Sequence, residues 1–215
     1  MSDTPCIFGR TNELVPPIWI DHGNRIEAGD WLVLRVGRDS LDRRGDQIVA
    51  KRLAELGRHA DLVRADLVIV SDITGNDLKS GWPMHGLQRL RDAKLTRYFA
   101  IETTDPLEAE WIAGHTPVHA IVIPYHAHDM AARYRVFDVA ATNGVAILSQ
   151  ASTADEWSLQ RATPQICSTI VSDAPQLGAI SPLPKAAVEI LWQHYQAQHP
   201  EPPKLRGVHP PETGA

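Results

Sequence analysis

From residue 31 onward, short apolar runs alternate with longer segments in which apolar and polar residues follow a helical period. The runs are rich in Val and Ile and are bounded by Gly, Asp or Pro. Continuous apolar runs of this kind are expected of parallel strands whose two faces are both covered. The predicted strands span residues 31–36, 67–71, 97–102, 120–124, 145–149 and 167–171.

Between the strands, apolar residues recur on one side of a helix. In the segment 83–95, for example, Met84, Leu87 and Leu90 form one stripe, and Asn143-Gly144 is a typical helix C-terminus. The predicted helices span residues 46–59, 83–95, 129–143 and 185–198.

A strand, a helix and another strand at this cadence predict βαβ units and a parallel sheet, and therefore an α/β fold. Two architectures share the cadence, an open doubly wound sheet and a (β/α)₈ barrel. No Gly-x-Gly-x-x-Gly follows an early strand, which removes the main signature of a dinucleotide-binding open sheet. Periodicity alone does not choose between the two.

Several sequence segments resemble the aldo-keto reductases. Gly-Arg-Thr-Asn-Glu-Leu-Val-Pro at 9–16 is similar to the opening of that family, and Leu-Arg-Val-Gly-Arg at 34–38 is similar to a strand of the branch acting on small sugars and pyridoxal. Further similar segments are 48–56, 65–72, 86–97 and 143–147. The resemblance implies a TIM-type (β/α) barrel over residues 1–199, followed by a Pro-rich flexible tail at 200–215.

The resemblance also implies an incomplete barrel. In the family a helix, a strand and another helix lie between the first two similar segments, and they carry the catalytic Asp and Tyr. Residues 21–30 are too few to hold them. We therefore expect the usual second strand and its flanking helices to be missing.

The remaining catalytic positions are also changed. In the family, Tyr protonates a carbonyl while a nicotinamide delivers hydride, Lys and Asp lower the pKa of the Tyr, and His orients the substrate. The Lys position corresponds to Arg35, a cation with almost no proton to exchange, and the His position corresponds to Ser71. The resemblance thus predicts a catalytically inactive protein that serves as a binding, regulatory or structural subunit.

The predicted cofactor segment lacks a phosphate grip. The family holds the NADPH 2′-phosphate after its last strand with a Gly/Lys-Ser segment, an Arg and an Asn. Here residues 171–178 contain neither Arg nor Lys, and Asp173 would repel a phosphate. We therefore expect no NADPH and no other cofactor.

Four residues at the predicted carboxyl ends of strands are candidates for binding a ligand. Arg35, Asp72, Glu102 and Tyr125 would lie at the mouth of a barrel, where active sites of this architecture are found. Arg35 could bind an anion or a carboxylate. Alternatively, it could form a structural ion pair with Asp66, Asp72 or Glu102.

A second candidate site is His126-Ala127-His128-Asp129, which follows a predicted strand. His-x-His with a carboxylate can hold a metal ion. It can also be a polar loop in which Asp129 is the N-cap of the next helix. The alternative function is therefore an oxidoreductase or a metal-dependent enzyme with a remodelled site at the barrel mouth.

A missing strand would leave unpaired sheet edges, which must be covered or paired. Trp19, Ile26 and Trp31 flank the shortened segment. They could cover the gap or anchor a protein partner or a second copy, because aromatic residues are enriched at interfaces.

Composition adds only exclusions. The 215 residues are 43% hydrophobic with a net charge of −5, and there is no basic stripe of the kind that binds nucleic acid. No apolar run approaches the ~20 residues of a membrane helix. The N-terminus lacks the layout of a signal peptide, and Cys6 and Cys167 match no metal or redox spacing. We expect a cytoplasmic protein without a membrane association.

Overall fold

A computed structural model of the chain describes residues 33–41, 47, 49–51, 64–171 and 181–201. Within these ranges, six strands alternate with helices. The strands are β1 (Val33–Val36), β2 (Ala65–Val70), β3 (Thr96–Glu102), β4 (Ala120–Val122), β5 (Ala146–Ala151) and β6 (Ile166–Val171). The helices are α1 (Gly75–Lys79), α2 (Trp82–Asp92), α3 (Pro106–His115), α4 (Ala132–Asn143), α5 (Ala154–Arg161) and α6 (Lys185–Gln198), with a 3₁₀ helix at Arg38–Leu41.

The strands form one parallel sheet in the order of the chain, β1-β2-β3-β4-β5-β6. All six predicted strands are confirmed, with ends that differ by up to two residues. β2 begins at Ala65 rather than at residue 67, because Ala65 is paired with Thr96 of β3 and its N–H donates to the carbonyl oxygen of Leu95 at 2.9 Å. The Asp66 carboxylate lies 3.6 Å from Nε of Arg97 on β3. A charge at a strand end can therefore belong to the sheet when the next strand supplies its partner.

The predicted helices over 83–95, 129–143 and 185–198 are confirmed as α2, α4 and α6. Gly144 ends α4 in the left-handed region, with φ of 69°, as the Asn-Gly signal predicts. In the predicted helix 46–59, residues 47 and 49–51 are helical, and the remainder lies outside the described residues.

Three helices were not predicted from the sequence. The buried residues of α3 are Ala109, Ile112 and Ala113. The apolar residues of this helix do not form one clear stripe, because the helix also packs against α4. The available signals were the helix starts. Asp105 caps α3 in front of Pro106, and Thr153 caps α5.

Both faces of the sheet are buried, in two separate apolar layers. The outer layer lies between the sheet and the helices, and includes Leu34, Val68, Phe99, Ile121 and Ile147. The inner layer lies on the opposite face of the strands and comprises Val33, Leu67, Ile69, Ala100, Ala120, Val122, Ala146 and Leu148. Since neighbouring residues of a strand point to opposite faces, the inner positions recur at every second residue. This two-sided burial explains the continuous apolar runs.

The α/β prediction is therefore confirmed. In the described part of the chain β1 and β6 are the two edges of the sheet and do not pair with each other, so the described strands form an open rather than a closed barrel. The predicted gap at residues 21–30, with Trp19, Ile26 and Trp31, lies outside the described residues. Most of the predicted tail 200–215 and the segment 172–178 do as well. No described helix is both long and apolar enough to span a membrane.

Candidate functional site

Polar side chains continue the inner face of the sheet where the strands end. Arg35 follows the inner residue Val33 by two positions, Glu102 follows Ala100 by two, and Gln150 follows Leu148 by two. All three stand at the carboxyl ends of their strands, above the apolar inner layer. The sequence predicted Arg35 and Glu102 for this position and missed Gln150.

Arg35 connects two strands that are not neighbours. Its Nε lies 3.1 Å from Oε2 of Glu102 on β3, with β2 between them. The Arg35 side chain is 43% exposed and the Glu102 side chain 23% exposed, so the pair sits at the boundary between the packed inner layer and solvent. Of the two alternatives for Arg35, an ion pair with Glu102 is therefore present.

The other end of the guanidinium group reaches β5. With the Gln150 amide oriented so that its oxygen faces Arg35, both Nη1 and Nη2 donate to that oxygen, with Nη1 at 2.8 Å. The side chain of Gln150 is exposed at the same end of the sheet. Arg35 therefore binds an anionic group on one strand and a neutral oxygen on another.

Ser71 and Asp72 extend this site after β2. The Ser71 backbone N–H donates to the carbonyl oxygen of Val36 at 2.9 Å, and the Ser71 hydroxyl donates to Oδ2 of Asp72 at 2.9 Å. Asp72 has φ of 62°, in the left-handed region that a residue other than Gly adopts only at an energetic cost. The carboxylate of Asp72 lies next to Gly37. A Cβ atom built onto Gly37 would be 3.7 Å from Oδ2 of Asp72.

We call Arg35, Ser71, Asp72, Glu102 and Gln150 the mouth cluster. Burial raises the pKa of the Glu102 carboxyl above its ordinary value; the attraction of Arg35 opposes this shift and the charge of Asp72 adds to it. With Asp72 and Glu102 ionised, the cluster holds one positive and two negative charges. It offers a fixed cation, two carboxylates, a hydroxyl and an amide to a small molecule.

Tyr125 does not join the mouth cluster. Its side chain is fully buried in the outer layer, with its ring 5.3 Å from that of Phe137, and its carbonyl oxygen accepts a hydrogen bond from Gln160 at 2.9 Å. Burial raises the pKa of the Tyr125 hydroxyl. Its placement as a ligand candidate at the mouth is thus corrected. The residue lies three positions beyond β4 and turns toward the helices.

His126, His128 and Asp129 lie in a tight turn after β4. His126 and Asp129 exchange backbone hydrogen bonds of 2.9 and 3.2 Å, and the two imidazole centroids are 6.4 Å apart. Oδ1 of Asp129 accepts from the N–H of Ala131 at 3.2 Å. Asp129 is not the N-cap, because α4 begins at Ala132 and Ala131 is its cap.

This turn does not form a three-ligand site. Across the described ranges, no three His, Cys, Asp or Glu side chains come together in a way that could hold a metal ion. The carboxylate of Asp129, which the sequence analysis considered as a third metal ligand, instead accepts a hydrogen bond from the N–H of the residue before α4.

Comparison with known proteins gives information on the fold. No protein-family model matches the sequence, and no curated protein sequence does. Solved structures do match. The aldo-keto reductase of Bacillus halodurans in its holo form is 12% identical with a TM-score of 0.54, over 75% of this chain and 81% of that chain.

Two further aldo-keto reductases agree. One from a Medee basin deep-sea metagenome library has a TM-score of 0.58 at 9% identity, over 80% of this chain and 73% of that chain. The Bombyx mori enzyme, solved in complex with NADP, has a TM-score of 0.53 at 11% identity, over 76% of this chain and 67% of that chain. At these identities the likeness concerns the fold. The described part of this chain therefore has the α/β fold of the aldo-keto reductases, with a barrel that its described strands leave open.

Proposed function

We propose that this chain is an aldo-keto-reductase-like protein that binds a small polar molecule at its mouth cluster and does not reduce carbonyls with NADPH. Its role would be that of a binding or regulatory subunit. The observation that carries the proposal is the position of Arg35, which lies near the carboxyl end of β1 and whose guanidinium contacts Glu102 and Gln150.

The chemistry of the mouth cluster supports the loss of reductase activity. In the family, a Lys at the position of Arg35 helps to lower the pKa of the proton donor. A guanidinium stays charged in proteins and differs from an ammonium group in shape and reach, and that of Arg35 contacts Glu102 and Gln150. At the position of the family's His, Ser71 directs its hydroxyl to Asp72, so neither an imidazole donor nor acceptor faces a substrate.

The sequence supports the loss of NADPH binding. Residues 171–178 contain no Arg or Lys, and Asp173 adds a negative charge where the family places a phosphate. The Bombyx mori relative holds NADP. This chain lacks the cations that such a phosphate needs in that segment.

The test is a direct comparison with an active relative. Titration of the purified protein with NADPH, followed by fluorescence and calorimetry, should show no saturable binding, and a panel of aldehydes should not oxidise NADPH above the rate without protein. The Bombyx mori enzyme serves as the control under the same conditions. Micromolar NADPH binding, or turnover of any aldehyde that disappears in Arg35→Gln, would show that the proposal is wrong.

A further inference from the structure

The side chain of Gln160, on α5, joins two strand ends and leaves one of its own atoms unpaired. Its Nε2 donates to the carbonyl oxygens of Tyr125, at 2.9 Å, and of Gln150, at 2.7 Å. Because both partners are acceptors, only the amino group of the amide can face them, and the amide oxygen must face the other way. Gln160 is fully buried, and among the residues that the structure describes its Oε1 has no hydrogen-bond partner.

Ser149, on β5, presents a second unpaired oxygen in the same layer. It follows Ile147 of the outer layer by two positions, so its side chain points toward the helices. Ser149 is fully buried, and its Oγ likewise has no partner in the described part of the chain. It directly precedes Gln150, whose carbonyl oxygen Gln160 binds. The hydroxyl and the amide therefore lie at neighbouring levels of a strand that rises about 3.4 Å per residue.

Two buried oxygens without partners are unfavourable in an apolar layer. Each loses its hydration when the chain folds, and no hydrogen bond within the described chain replaces it. The neighbouring Ile147 and Leu159 are at most 2% exposed, so the region is closed to large molecules. The missing partner must therefore be small and must be able to donate a hydrogen bond to an amide oxygen. Water meets both conditions, and buried waters typically bind polar groups of this kind.

We infer that an internal water molecule binds between β5 and α5, where it donates one hydrogen bond to Oε1 of Gln160 and shares a second with the hydroxyl of Ser149. Thr169, which is paired with Ser149 in the register of β5 and β6, places a third hydroxyl group at this level of the sheet. The water holds the Gln160 amide in the orientation that joins the carboxyl ends of β4 and β5.

This water site is separate from the mouth cluster. Ser149 points to the outer side of β5, whereas Gln150 continues the inner side. The inference therefore goes beyond the proposed function and does not depend on it. The two sites are connected only through the backbone, because the Gln150 residue whose carbonyl oxygen Gln160 binds also contributes its side chain to the mouth cluster.

The first test is a high-resolution crystal structure of the full chain. It should show one ordered water within about 2.6–3.2 Å of both Oε1 of Gln160 and Oγ of Ser149. Magnetic relaxation dispersion of the solvent ¹⁷O nucleus provides the measurement in solution, because it counts the internal waters that stay bound while the protein tumbles. The wild type should have one more such water than Ser149→Ala, and one more than Gln160→Met.

Stability gives an independent test with a definite sign. If the water bonds the hydroxyl, Ser149→Ala removes a satisfied hydrogen bond and should lower the denaturant midpoint. Removal of an unpaired buried hydroxyl would instead leave the midpoint unchanged or raise it. Ser158→Ala is the matched control, because the Ser158 hydroxyl donates directly to the carbonyl oxygen of Ser181 at 2.7 Å. It should lower the midpoint without the loss of an internal water.

Three results would each overturn the inference. The first is a crystal structure without water at this position, which needs no variant and decides the question even if a variant does not fold. The second is a midpoint of Ser149→Ala that is equal to or above that of the wild type. The third is a lowered midpoint with an unchanged number of internal waters, which would mean that Ser149 bonds Gln160 directly.

Discussion

Arg35 on β1 and Gln150 on β5 are in hydrogen-bonding contact although β2, β3 and β4 lie between their strands. In a flat sheet, four steps between neighbouring strands would separate them by about 19 Å. An arginine side chain cannot span that distance. The sheet must therefore be curved, as in a barrel, so that the inner sides of β1 and β5 face each other. The mouth cluster forms where the carboxyl ends of the strands converge.

The raised pKa of Glu102 predicts a pH dependence of stability. Below the ordinary pKa of 4.5, Glu102 is protonated in both the folded and the unfolded chain, and its burial carries no ionisation penalty. As pH rises through the folded-state pKa, the folded protein must ionise a partly buried group, and this part of its stability is lost. The free energy of unfolding of Glu102→Gln relative to the wild type should therefore increase from about pH 4 to about pH 7.

Denaturant unfolding of both proteins across this range measures the effect. The substitution also changes the contact with Arg35, which shifts the difference in the free energy of unfolding by an amount that does not depend on pH. Only the change of that difference with pH therefore reports the ionisation of Glu102. Asp72→Asn is the control background, because it removes the charge that adds to the effect of burial on the pKa of Glu102. The difference in the free energy of unfolding between Glu102→Gln and Glu102, measured in the Asp72→Asn background, should therefore rise less steeply with pH. A difference between wild type and Glu102→Gln that is constant, or falls, with pH would contradict the assignment.

The left-handed conformation of Asp72 predicts an order of stability for its variants. At φ of 62°, Gly is unstrained whereas a Cβ is disfavoured. Asp72→Gly should therefore be more stable than Asp72→Ala by about 1 kcal/mol, as measured by thermal and denaturant unfolding. Both variants lose the hydrogen bond from Ser71, so the comparison isolates the backbone.

Lys94 provides the matched pair, because its φ is 57° in the exposed turn between α2 and β3. Lys94→Gly should likewise be more stable than Lys94→Ala. If the order held at residue 94 but not at residue 72, the conformation of the mouth would differ from the one described.

The close contact of Gly86 in α2 with the 3₁₀ helix predicts that a larger residue does not fit at this position. A Cβ at this position would lie 2.5 Å from the carbonyl oxygen and 2.8 Å from the Cβ of Leu41. Neither group is the end of a flexible side chain, so Gly86→Ala should destabilise the protein by about 1–3 kcal/mol in denaturant unfolding.

Gly114, in α3, is the contrasting helical glycine. Its added Cβ would meet Val139 Cγ1 at 3.6 Å, an ordinary contact. Gly114→Ala should stabilise the helix by about 0.5–1 kcal/mol. Equal effects of the two substitutions would mean that Leu41 does not approach α2 as described.

The sequence by itself predicted the six strands and the helices α2, α4 and α6. A parallel strand covered on both faces must be apolar at successive positions, and such runs can be recognised without knowledge of their partners. The segments similar to the aldo-keto reductases also led to the fold that the solved structures support. Helices α1, α3 and α5 were missed. Helix α1 has only five residues, and the buried residues of α3 and α5 do not follow one clear stripe, so that only the caps mark these helices.

Tertiary structure alone decided which polar residues meet. When both faces of a strand are apolar, the sequence does not tell which alternate positions point inward, so Gln150 was not singled out. Tyr125 follows β4 in a connection whose direction the sequence does not give either, and it was assigned to the mouth. The direction of each side chain is set by the pleat of the assembled sheet, and the contact from β1 to β5 is set by its curvature. The local sequence pattern determines neither the direction of a side chain nor the curvature of the sheet, because both arise only when the six strands pack against one another.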